Sequence, residues 1–188
     1  MRRSARLILL VAIAAAVVLT LVSCTPPDAV SSPGYVSGDG TVTEWAEGSR
    51  PGPLDLTGVD FDGNPVDLSA YEGEVVFITT WYAACPPCRA EAPDLIELDA
   101  LDGVSVIGVN TKDDAGTAQA FERNFGVTYP SIGDADGQAV AAMQGLVAIN
   151  AVPTGLVIDA QGFVAARTVG RVELTTLQAL IAAAGATD

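Results

Sequence analysis

Histidine is absent from this chain of 188 residues. Its absence removes Ser-His-Asp and Cys-His nucleophiles, His-ligated zinc and haem, and the imidazole proton shuttle. Acid–base work must fall to carboxylates, thiols, lysine or tyrosine. Cysteine is scarce, at three residues. A thiolate pair with no histidine leaves two ligands of a tetrahedral metal site unaccounted for, so neither a metal nor any other cofactor is expected. Basic residues are few: nine Lys and Arg face 23 Asp and Glu, for a formal charge of −14. That balance argues against nucleic acid and against electrostatic docking on anionic lipid. It fits solubility near a surface, or a basic partner such as a cationic cytochrome or its unfolded precursor. No internal repeat is visible. The longest apolar run, Leu7 to Val22, is 16 residues, with Thr20 its one polar member. A spanning helix needs about 20. The length suits one domain with its own core.

What surrounds that run reads as a targeting segment. Arg2, Arg3 and Arg6 precede it, and Leu21-Val22-Ser23-Cys24 closes it. The closing tetrad resembles the lipobox of bacterial lipoproteins. The resemblance implies that residues 1–23 are a signal peptide. Cys24 is then lipid-modified and becomes the first residue of the mature chain. The alternative is an uncleaved signal anchor, and Arg2-Arg3 leaves Sec and twin-arginine export both open. Either way the domain sits outside the cytoplasm, where disulfide chemistry is possible. The expected place is the extracytoplasmic face of the cell membrane, with attachment through acyl chains. Residues 24–53 hold Pro26, Pro27, Pro33, Pro51 and Pro53 among Gly, Ser and acids, and read as a flexible tether. Trp45, the one tryptophan of this stretch, should dock on the domain edge. The folded domain is expected over 54–187.

Within it strands and helices alternate. Leu54-Asp55-Leu56 and Val66-Asp67-Leu68 alternate with period two around the turn Asp62-Gly63-Asn64-Pro65, an N-terminal β-hairpin. Val75 to Trp81 is a continuous run suited to a central strand covered on both faces. Helices are expected over 86–101, 113–125 and 136–143, and from Leu174 onward, with strands over 104–109, 155–158 and 163–168. The last two strands form a hairpin around Asp159-Ala160-Gln161-Gly162. The pattern is α/β, a mixed sheet with helices on both faces.

Cys85-Pro86-Pro87-Cys88 falls between the strand 75–81 and the helix that follows. A Cys-X-X-Cys at a strand-to-helix junction points to thiol–disulfide exchange, with a structural disulfide as the bland alternative. The run Trp81 to Pro93 resembles the active-site segment of the thioredoxin fold. More narrowly it resembles the TlpA/ResA-like membrane-tethered thiol–disulfide oxidoreductases. Ala151-Val152-Pro153-Thr154 matches the family's cis-proline loop. Together these imply a thioredoxin fold: a central mixed β-sheet flanked by helices, with the N-terminal hairpin as an extension. A peroxiredoxin is excluded because Ile78 and Tyr82 stand where its Pro and Thr/Ser would be.

The residues assign roles. Cys85 should cap the helix, exposed, as the attacking thiolate. Cys88, one turn deeper, should resolve the mixed disulfide. Pro86 and Pro87 delete the amides at N1 and N2, leaving only that of Cys88 near the sulfur. A weakly stabilised thiolate means a lower potential, which favours reductase over oxidase. Glu91, three residues on from Cys88, shares its helix face, and the resemblance implies that it tunes the buried thiol's proton transfer as the acid–base residue; a solvated helix acid is the alternative. Thioredoxins place an acid where this chain has Thr79. The resemblance implies that Val152 and Pro153 meet the substrate, with Trp81 beside them. It also implies clients among disulfide-containing envelope proteins, with apocytochrome c foremost, and a membrane thiol carrier as electron donor. The alternatives are an oxidase or isomerase of exported proteins, and a non-catalytic anchored binding module. A monomer is expected. One residue breaks the family pattern: Ala84 replaces the usual aromatic before the first cysteine.

Overall fold

A computed structural model describes residues 41–147 and 150–185. Eight strands and four helices follow in order: β1 Thr41–Glu44, β2 Thr57–Val59, β3 Pro65–Asp67, β4 Val75–Trp81, α1 Pro86–Asp99, β5 Val104–Asn110, α2 Ala115–Phe125, β6 Ser131–Gly133, α3 Gln138–Ala142, β7 Thr154–Ile158, β8 Val164–Val169 and α4 Leu174–Gly185. A 3₁₀ turn, Leu68–Tyr71, precedes β4. Six strands make one sheet in the order β1-β8-β7-β4-β5-β6, and β2 and β3 form a separate hairpin. β4 pairs in parallel with β5 and antiparallel with β7, so the sheet is mixed.

The continuous apolar run occupies the centre of this sheet, and all seven of its residues are buried. Alternation divides its side chains between two cores. Val75 and Phe77 pack with Leu95 and Leu98 of α1 and Leu177 and Ile181 of α4. Val76 and Ile78 face Leu56, Val66, Ala139 and Met143, under the hairpin and α3. α1 buries Cys88, Glu91, Ala92, Leu95 and Leu98, one face at helical spacing. It continues through Pro93, although that residue has no amide to donate. α2 begins on Asp114, whose carboxylate accepts from Thr117 N. It stops at Gly126, whose φ of 73° suits glycine.

Several boundaries differ from expectation. The hairpin exists, but its first strand is Thr57–Val59, paired with Pro65–Asp67. Leu54-Asp55-Leu56 instead runs alongside, where Leu56 fills the core and its carbonyl accepts from Leu68 N. β6 was not anticipated: three residues leave no periodic signal. The expected tether is corrected in its second half. Thr41–Glu44 adds to the sheet as an edge strand on β8. Trp45 is half-buried against the core, as expected of it. Pro51 O accepts from Val164 N, and Arg50 Nη1 lies 2.7 Å from Asp159 Oδ2. A β-strand edge that needs pairing, and a carboxylate that needs a cation, draw these residues onto the domain. Residues 1–40, Cys24 among them, lie outside the described residues.

One glycine is sterically required. Gly155 lies opposite Thr79 in β4, and a Cβ there would meet the Phe77 ring and Thr168 Oγ1. Phe77 is fully buried and has no room to retreat. Gly155→Ala is therefore expected to cost about 2 kcal/mol, read as a lowered urea midpoint at unchanged slope. An unchanged midpoint would show that the ring moves freely.

Candidate active site

The end of β4 delivers the chain to a short loop, and α1 starts within four residues. That loop is held by side chains from a distant segment. Ala83 N donates to Asp113 Oδ2 at 2.6 Å, and Asn110 Nδ2 donates to the same oxygen at 2.9 Å. Cys85 N donates to the Tyr82 carbonyl. Arg89 Nη1 donates to Ala83 O, and its guanidinium lies 5.0 Å from the Phe125 ring centre.

Cys85 and Cys88 are joined by a disulfide. Cys85 is the N-cap of α1, and its sulfur accepts from Cys88 N at 3.2 Å. Pro86 and Pro87 fill the next two positions and have no N–H to offer. One amide therefore faces this sulfur within the first turn. After reduction the same amide would face a thiolate.

Cys85 is only 1% exposed, which corrects the expectation of an exposed attacking residue. Its sulfur turns inward towards Cys88 and touches Val152 O at 3.7 Å. Pro86 and Pro87 are the exposed residues there. The loop that covers it is fixed by a pair of threonines. Thr154 N donates to Thr80 Oγ1 at 2.9 Å, and that hydroxyl donates to Thr154 O at 3.3 Å. The Val152–Pro153 peptide bond is cis, as the resemblance implied, and Val152 is half-buried.

Trp81 is also placed differently. It is buried and packs on Phe121 with ring centres 4.6 Å apart, so it supports the cysteines from below and offers no contact surface. The aromatic at the rim is Tyr82, with Lys112 Nζ 4.0 Å above its ring. Ala84 is exposed. The parts played by Lys112, Asp113, Thr80 and Thr154 were missed at the sequence level. Lys112, Asp113 and Thr154 lie in other segments than the cysteines, and no local spacing pairs Thr80, in the strand before them, with Thr154.

Glu91 sits one turn beyond Cys88 on the same face of α1 and is 2% exposed. Thr79 Oγ1 donates to Glu91 Oε2 at 3.5 Å. The strand position where thioredoxins carry their acid thus meets the helix position where this chain carries one. Burial pushes the Glu91 carboxyl up to about 8; Thr79 and Arg171 pull it down, and Asp94 pushes it further up. The group is neutral at pH 7 and able to exchange a proton near that pH. Tyr129 is raised as well, by burial first and then by Glu91, so its phenol stays protonated.

Comparison with known proteins agrees with this geometry. The chain is 33% identical to the thiol:disulfide interchange protein HelX of Rhodobacter capsulatus, over 55% of this chain and 57% of that one. It is 32% identical to the thiol-disulfide oxidoreductase ResA of Geobacillus kaustophilus, over 64% and 67%. Against HelX the chain thus spans a little over half of the relative's length. A secreted thiol-disulfide isomerase from Corynebacterium glutamicum superposes with a TM-score of 0.70 at 29% identity, covering 80% of this chain and 95% of that one. A DsbF homologue from Corynebacterium diphtheriae gives 0.68 at 28%, covering 81% and 98%. The architecture is therefore the thioredoxin-like fold expected. The Redoxin family model matches residues 39–181. That span takes in the docked strand, the cysteine pair and the proline loop together, and the chain belongs to the Redoxin family.

Proposed function

We propose that this chain is a membrane-tethered, extracytoplasmic thiol–disulfide oxidoreductase that reduces disulfides of envelope proteins. In the reduced enzyme the Cys85 thiolate attacks one sulfur of a client disulfide. A mixed disulfide forms, and the second client sulfur leaves as a thiolate. The ionised fraction of Glu91 takes the proton of Cys88, and the Cys88 thiolate attacks the Cys85 sulfur. The client leaves with both sulfurs reduced, and the Cys85–Cys88 disulfide remains. An external dithiol donor must then reduce that disulfide. The proposed donor is the membrane thiol carrier implied by the resemblance to TlpA/ResA-like proteins. The proposed client is apocytochrome c before haem attachment, and the acidic surface suits a basic precursor. The anchor is lipid on Cys24; among the described residues no helix is long and apolar enough to cross a membrane.

The observation that carries reduction is the single amide facing Cys85. Fewer donors stabilise the thiolate less, and a less stable reduced form lowers the potential. The test is a redox titration against a glutathione or dithiothreitol buffer. The expected value lies nearer the about −270 mV of thioredoxin than the about −120 mV of a strong oxidant. Pro87→Ala restores the second amide. It should lower the Cys85 pKa by about one unit and raise the potential by about 30 mV. An oxidant-range potential in the parent protein would overturn the reading. The likeness to the secreted thiol-disulfide isomerase of Corynebacterium glutamicum favours a second reading, isomerisation or oxidation of exported proteins. Reduced ribonuclease tests oxidation and scrambled ribonuclease tests isomerisation: regain of activity by either at a rate matching insulin reduction would favour the second reading. No insulin reduction with a thiol donor would favour an anchored binding module.

A further inference from the structure

Val152, which touches the Cys85 sulfur, also lines an open cavity of about 430 Å³. Its walls include Tyr82, Thr111, Lys112, Asp134, Asn150 and Val152. Three of these observations point to one kind of ligand.

Lys112 is the only lysine in the chain. Among the described residues its ammonium has no carboxylate within ion-pair distance and no hydrogen-bond acceptor. It rests on the Tyr82 ring, which holds a cation by its π face yet leaves the outward N–H groups unused. Thr111 Oγ1 is shielded from solvent and lacks a partner. A hydroxyl without a partner in a cavity wall is a donor waiting for an acceptor. The one carboxylate in the wall, Asp134, is committed elsewhere. Its Oδ1 accepts from Ala139 N at 2.8 Å and its Oδ2 from Val140 N at 3.0 Å. The neighbouring Asp113 is likewise engaged, with Ala83 N and Asn110 Nδ2. Amides thus occupy the oxygens of the wall's carboxylate, and the donors left unspent in the cavity are the Lys112 ammonium and the Thr111 hydroxyl.

We propose that this cavity is a specificity site for an acidic side chain of the client, an Asp or Glu within two residues of the cysteine under attack. The inference rests on the exchange reaction proposed above. A client cysteine must approach Cys85 across the Val152 loop, and Tyr82 and Val152 are walls of both the approach and the cavity. An extended client turns successive side chains to opposite sides, so one near the cysteine faces the cavity. Lys112 and Thr111 then receive its carboxylate. Ala84, small and exposed, adds no bulk at this rim. On a chain of net charge −14, a cation in this wall works against the general repulsion of acidic clients.

The test uses a peptide set, each member with one intramolecular disulfide. An acid, an amide or a lysine occupies each of the two positions on either side of a cysteine. kcat/KM is measured with the mature protein and a dithiol donor. At one position or more, the acid is expected to exceed the amide by about fivefold, and the lysine to fall below both. Lys112→Gln should bring the acid-to-amide ratio close to one, Lys112→Arg should keep it, and Thr111→Val should reduce it in part. Equal rates for acid, amide and lysine at all four positions would overturn the site while leaving the exchange activity intact. So would a preference that survives Lys112→Gln. No turnover of any peptide would instead overturn the activity on which the site depends.

Discussion

Cys88→Ala should abolish turnover, by at least about a thousandfold, and leave a client covalently held on Cys85. The reason lies in the second half of the exchange. Once the mixed disulfide forms, only a thiolate aligned with the Cys85 sulfur can break it quickly. Cys88 lies one helical turn away, with its own amide already directed at that sulfur. An aligned intramolecular group acts as though present at very high concentration, and millimolar external thiol cannot replace it. The variant expressed with its anchor, then resolved on non-reducing gels, gives both the loss and the identity of the adduct. A cytochrome precursor among the adducts supports the proposed client; a broad set of exported proteins supports general oxidation or isomerisation. Adducts on Cys88 in a Cys85→Ala variant, with none in Cys88→Ala, would reverse the roles of the two cysteines. That reversal is a real alternative, because both sulfurs are buried in the oxidised state.

Glu91→Gln is expected to make the oxidised protein more stable and the enzyme slower. The sign follows from the proton. In the fold Glu91 holds its proton up to about pH 8, against an ordinary value of 4.5 when unfolded. Between those pH values the unfolded chain gives up the proton and the folded chain keeps it. Stability is therefore fully present below about pH 4.5, declines as the pH rises, and levels off above about 8. Glutamine has the same shape and no proton to lose, so that decline disappears. The gain at pH 8 is on the order of 4 kcal/mol, with little at pH 4.5. Urea unfolding of both proteins across this range measures it. Reduction of a client by the variant should slow about a hundredfold, because Cys88 loses its proton acceptor. Parallel stability curves for the two proteins would show that Glu91 is ionised in the fold.

The readable part of this chain was the part written in neighbouring residues. The run Val75 to Trp81 declares a central strand because it is apolar without interruption. Cys85 to Cys88 declares a helix cap because the two prolines tolerate only the first turn. Glu91 follows from spacing alone. Elsewhere the physics is non-local. Thr41–Glu44 has no strong strand signal, and it becomes a strand because β8 presents an open edge. Whether Trp81 faces inward or outward depends on Phe121, forty residues away, which fills the space beneath it. The burial of Cys85 depends on Val152, in a loop held by Thr80 and Thr154. Lys112 is set apart only by the Tyr82 ring beneath it, thirty residues back in the chain.

The docked strand also sets how far the enzyme can travel. With the domain beginning at Leu54, roughly 29 residues would separate it from lipid on Cys24, a leash of up to about 100 Å. The chain is instead secured from Thr41, and only residues 25–40 remain to pay out. Their full extension is about 55 Å, whatever conformation they adopt. If Cys24 carries the proposed lipid, a domain on so short a leash would patrol a thin shell above the bilayer. It would meet polypeptides as they emerge from the membrane, and would rarely meet those that have already diffused away.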